Sequence, residues 1–197
     1  AVAKAAALER AAKENADAAA KATADSAAKT PARPPAAKPV APAEIVTIGP
    51  SAENCANASG ALFMRIGVCR PAMERDGAVV ALTAGFHGFP DGGEYFAGVF
   101  EGAGANLRLV ARCTFAPDRS KPDTAQRFTL APPLAVRTGQ LLGIGNSNSY
   151  CWVRWMSGGA GCFHSDDTDA LLRGATVGFR TDSVTLAVRW ELDVSRR

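Results

Sequence analysis

From Glu44 onward, short apolar runs are broken by clusters of Gly, Pro, Asn and Asp. The pattern predicts ten strands: EIVTI (44–48), LFMRIGV (62–68), AVVALTA (78–84), EYFAGVF (94–100), NLRLVARCTF (106–115), QRFTL (126–130), QLLGIG (140–145), YCWVRWM (150–156), ATVGFR (175–180) and SVTLAVRWELDV (183–194). Two of them alternate with the two-residue period of a half-buried strand. Leu107, Leu109, Ala111, Cys113 and Phe115 are interleaved with Arg108 and Arg112. Leu186, Val188, Trp190 and Leu192 are likewise interleaved with Arg189 and Glu191. Many short strands at even spacing, with no long amphipathic helix between them, predict a mainly β fold over residues 44–197, an antiparallel β-sandwich or barrel. Pro132-Pro133 is expected between strands, where a missing N–H does no harm.

Upstream the pattern is different. Residues 1–29 are dominated by Ala, with Lys, Glu and Leu, and contain neither Gly nor Pro, which predicts an Ala-rich helix. A seam of alternating three and four spacing runs through Ala5, Leu8, Ala12, Asn15, Ala19, Ala22 and Ser26, with Asn15 as a polar core position. The seam predicts oligomerisation through a coiled coil; the competing reading is a lone solvated helix. Residues 30–43, TPARPPAAKPVAPA, hold five prolines and no periodicity, and predict an extended, semi-rigid linker. The domain plan is therefore an oligomerising or anchoring helix (1–29), a Pro/Ala-rich linker (30–43) and a β-sandwich binding domain (44–197).

Charge narrows the partners. Residues 1–42 hold seven Lys/Arg against four Asp/Glu, and the rest of the chain holds fifteen of each. A neutral β-domain argues against nucleic acid as a partner, and the mild upstream surplus reads as a solvated helix face. No run of about 18 apolar residues occurs, so no membrane-spanning helix is expected. Because it begins at Ala1, the chain is expected to be a processed product or a piece of a longer one.

The run ADAAAKATADSAAKT (16–30) resembles the Ala-Asp-Ala-Lys-Thr helical repeats in the shafts of bacteriophage tail fibres and related spikes. PPLAVRTGQLLGIG (132–145) is similar to a strand-turn-strand step of jelly-roll knobs and carbohydrate-binding sandwiches. The resemblance implies a homotrimeric virion component on the particle surface, held to other virion proteins through its N-terminal region. It implies a jelly-roll-like β-sandwich tip that binds host-surface carbohydrate. No set of residues fills the roles of a catalytic site, so neither enzymatic activity nor a cofactor is expected. The other expectations are a bacterial envelope or secreted carbohydrate- or protein-binding module on an Ala/Pro-rich tether, and a capsid or collar decoration protein that binds nothing.

Candidate chemistry is sparse. His87 and His164 are the two histidines, and the GxSxG pattern of a nucleophile elbow is absent. The best binding signal is YCWVRWM. Alternation places Tyr150, Trp152 and Arg154 on one face, and Cys151, Val153 and Trp155 on the other. If the Cys/Val/Trp face is core, Tyr150, Trp152 and Arg154 form an aromatic surface with a guanidinium fork, suited to sugar rings and carboxylates. The alternative is that Tyr150 and Trp152 are buried between trimer subunits. Loop aromatics Phe89 and Tyr95 carry the same ambiguity. CFHSDDTD (162–169) groups His164, Asp166 and Asp167 as further ligand-binding candidates, although acids in such a loop also serve to turn and cap the chain. No metal is assigned. The five cysteines suggest two local pairs, Cys151 with Cys162 across the Gly-rich WMSGGAG segment, and Cys55 with Cys69.

Overall fold

The computed structural model describes residues 43–195 apart from Ser59, Pro90 and Asp91. The predicted Ala-rich helix, its seam and all of the linker before Ala43 lie outside the described residues.

The described chain is mainly β, in two antiparallel sheets. One sheet has the order β1-β12-β4-β7, from β1 (Ile45–Ile48), β12 (Val188–Asp193), β4 (Gly77–Gly85) and β7 (Ala125–Val136). The other has the order β10-β6-β5-β8-β3-β9-β11. Its strands are β10 (Thr176–Gly178), β6 (Asn106–Phe115), β5 (Tyr95–Ala103), β8 (Leu141–Asn146), β3 (Ile66–Cys69), β9 (Cys151–Ser165) and β11 (Arg180–Leu186). The short β2 (Gly60–Met64) pairs with β9 alongside them. Two single-turn helices, α1 (Ala52–Asn57) and α2 (Thr168–Leu172), complete the domain.

The main core lies between the sheets. Leu82, Phe86, Tyr95, Val99, Leu142, Ile144, Val153, Leu186 and Trp190 belong to it. A second core covers the outer face of the larger sheet: Phe96 and Phe100 of β5, Ile66 and Val68 of β3 and Phe163 of β9 pack against Leu171, Val177 and Phe179. Burial on both faces explains why β8 and most of β5 lack inside–outside alternation. It also explains the glycines of LLGIG. A Cβ on Gly143 would lie 2.7 Å from both the Gly67 carbonyl and the Phe100 ring, and one on Gly145 2.6 Å from the Phe96 ring. The glycines make room for rings laid flat across the sheet.

Several predicted boundaries move. LFMRIGV is two strands with a break at Arg65, and SVTLAVRWELDV divides at Ala187, where the chain passes from the larger sheet to the smaller. The alternation of Leu186, Val188, Trp190 and Leu192 inward survives that crossing. Pro132-Pro133 lies within β7, not between strands. Val79 pairs with Leu134 and Ala81 with Thr129, so residues 130–133 form a bulge opposite Val80 on an edge strand, where a missing donor is tolerated. β9 extends well past Met156, and its Gly-rich middle is a bulge opposite Ser183, because Cys162 pairs with Asp182 and Ser157 with Val184.

Register corrects the expected Cys151–Cys162 bridge. Both are free thiols, and neither faces the other: Cys151 lies opposite Met64 and Cys162 opposite Cys69. Cys55 is buried in α1 beside Ala58 and Ala187, and it too is a free thiol, as is Cys69.

Candidate functional site

The first half of β9 presents its two faces as alternation requires. Cys151 and Val153 are fully buried in the main core, while Trp152 and Arg154 point outward. Tyr150, just before the strand, is 45% exposed. Three segments distant in sequence close over this outer face.

The first is the chain after β4. Phe86 forms a bridge to Val153, and the His87 N–H donates to the Trp152 carbonyl at 2.9 Å. Gly88 lies against Trp152; a Cβ there would be 3.0 Å from the indole Cε3. The second segment is α1, whose Ala56 carbonyl accepts from Arg154 Nη1 at 3.0 Å. With no basic residue in its own last turn, α1 takes its terminal cation from β9. The third segment is the β6–β7 loop. Asp123 Oδ1 accepts from Arg154 Nη2 at 2.9 Å and lies 2.9 Å from His87 Nδ1.

Asp123 has φ +58°, the one non-glycine in the left-handed region among the described residues. Asp tolerates this conformation better than most side chains. The loop is pinned around it. Asp118 accepts from the Ser120 N–H and hydroxyl, and Gln126 Nε2 donates to the Asp118 and Lys121 carbonyls, both at 3.0 Å. Arg154, chiefly through its hydrogen bond, and His87 hold the Asp123 carboxyl below the usual carboxylate range. Arg154 is the most enclosed of the three, with 16% of its side chain exposed against about half for His87 and Asp123.

The result is a fixed polar cluster, Arg154–Asp123–His87, beside an aromatic surface of Tyr150 and Trp152. The guanidinium fork expected to meet a ligand is already engaged by Ala56 and Asp123, so Arg154 positions the cluster instead. The outward polar groups are the Asp123 carboxylate and the His87 imidazole, which sequence reasoning did not place here. No local pattern marks them: Asp123 is 31 positions from Arg154, and Ala56 is 98. Of the loop aromatics, Tyr95 is buried and Phe89 packs against the main core.

His164, Asp166 and Asp167 lie at the far end of β9 and do not join this cluster. They line a shallow surface pocket with Ser165, Gly178 and Arg180. Asp167 caps α2, accepting from the Ala170 N–H at 3.2 Å, and Asp166 accepts from the Arg65 N–H at 3.4 Å. These acids are occupied in turning and capping the chain. Among the described residues, no group of three or more His, Cys, Asp or Glu is placed to hold a metal ion.

No protein-family model matches this chain, and no curated protein or solved structure matches it.

Proposed function

We propose that residues 44–197 are a jelly-roll binding module that grips a carbohydrate on the Tyr150–Trp152 face. On this reading the protein is a homotrimeric virion fibre or spike component that presents the module to host-surface glycans. The strand order supports the jelly-roll part. With β2, β9, β10 and β11 set aside as additions, the remaining eight strands taken in chain order run 1-8-3-6 in one sheet and 2-7-4-5 in the other. The nested pairs β1·β12, β3·β8, β4·β7 and β5·β6 are all antiparallel, as two Greek keys wound together require.

The observation that carries the binding part is the exposed Tyr150 ring, two positions before Trp152, leading into the strand that carries Arg154 and its pinned Asp123–His87 cluster. A flat ring stacks on sugar C–H faces, and a carboxylate and an imidazole held at fixed distances supply hydrogen bonds at little ordering cost. Tyr150→Ala is the clean test, because an exposed side chain is removed without opening the core. Binding to a glycan array is expected to fall at least tenfold with an unchanged melting temperature. Unchanged binding removes this face as the site. A strict monomer of the full chain in light scattering removes the trimer.

A further inference from the structure

The ladder between β3 and β9 places Cys69 directly opposite Cys162. In an antiparallel pair, residues directly opposite project from the same face with Cα atoms about 4.5–5.5 Å apart. That lies inside the range of about 4.4–6.8 Å spanned by disulfides. Neighbouring residues identify the face. Val68 and Phe163, one position back on β3 and one position on along β9, belong to the outer core. Cys162 belongs to the main core, and Cys69 packs against it from a partly buried position. Both thiols therefore point into the space between the sheets. None of the other three cysteines is so placed: Cys151 faces Met64, Cys113 faces Ala97, and Cys55 is in α1.

We infer that Cys69 and Cys162 are a cross-strand redox pair that closes to a disulfide when the protein meets a low-molecular-weight disulfide oxidant. Cys69 is the entry point, because it lines an apolar cavity of about 70 Å³ with Arg70, Pro71, Gly161, Leu186 and Trp190, whereas Cys162 is fully enclosed. The Cys69 thiolate attacks one sulfur of the oxidant, whose S–S bond breaks to release one thiol. The Cys162 thiolate then attacks Cys69 Sγ and displaces the second. Two protein thiols give up two electrons and two protons, and the oxidant leaves as two thiols. Burial pushes both thiols up to about 12, which makes the exchange slow in the folded state and favours closure during folding in an oxidising compartment. Once closed, the bond links β3 to β9 across more than ninety residues of chain, a long loop whose closure constrains the unfolded state.

The test uses the full chain, refolded with either oxidised glutathione or a reductant, alkylated, digested without reduction and mapped by mass spectrometry. The expected map joins the Cys69 and Cys162 peptides and leaves Cys55, Cys113 and Cys151 alkylated. The oxidised form is expected to melt about 5 °C or more above the reduced form. That gap should vanish in Cys69→Ser and Cys162→Ser and persist in Cys151→Ser. Five alkylated cysteines, a link between any other pair, or glutathione retained on Cys69 overturns the inference. Because the map is read on the unaltered chain, a variant that fails to fold does not blunt it.

Discussion

Arg154 shows how one side chain on a strand organises a surface. Its guanidinium joins α1 through the Ala56 carbonyl and the β6–β7 loop through Asp123, while its own backbone carbonyl accepts from the Ala187 N–H at 2.8 Å. Removing it takes the guanidinium from a helix-end carbonyl and from the Asp123 carboxylate, which keeps only His87, and opens the space its stem fills. Arg154→Ala is expected to destabilise the domain by about 1–3 kcal/mol in urea unfolding. Arg154→Lys should recover less than half of that, because a single ammonium does not reproduce the planar fork that reaches two acceptors. Equal stability of the three proteins would mean that the ion pair is merely decorative.

At the scale of elements, β5 and β8 leave little room for substitution, since each packs a core on both faces. Phe100 lies across Gly98 and Gly143, and Phe96 lies across Gly145. The Cβ introduced by Gly143→Ala would meet the Gly67 carbonyl, a backbone atom of β3 that cannot rotate away. The substitution is expected to cost about 1–3 kcal/mol or more and to lower the denaturation midpoint accordingly. A neutral result would require β3 and β8 to separate without loss. The strands themselves were legible from alternation and from turn residues. Their ends were not, because a bulge preserves composition while changing partners. The glycines of WMSGGAG read as a loop in sequence, yet β11 and β3 hold that segment in the sheet on either side of the bulge.

For the whole molecule, buried acids of high pKa set the alkaline limit. Burial raises Cys55 to about 11, and Cys69, Cys162 and Tyr95 to about 12. In the unfolded chain these groups ionise near about 8.5 for Cys and about 10 for Tyr. The protonated native form is thus favoured, and the stability it contributes is complete below the unfolded values. It is lost as pH rises from about 8.5 towards 12, because the unfolded chain releases protons first. Reduced protein is expected to show a steadily falling urea midpoint from pH 8 to pH 11. The disulfide-linked form should fall less, with two fewer thiols to titrate. A flat profile for the reduced form would contradict the burial of these groups.

The β class, most strand positions and the division of β9 into two faces follow from the sequence alone, since a two-residue period is a local property imposed by the pleat. The same local reasoning placed Tyr150, Trp152 and Arg154 in one row and left open whether that row faces outward. Only the tertiary structure decided what lies over that row, and it brought in His87, Asp123 and Ala56 from distant segments. It also decided that Cys162 faces Cys69 and not Cys151, because pairing depends on register between strands far apart in the chain. Periodicity along one strand tells which face a residue occupies. It carries no information about which other strand will lie beside it.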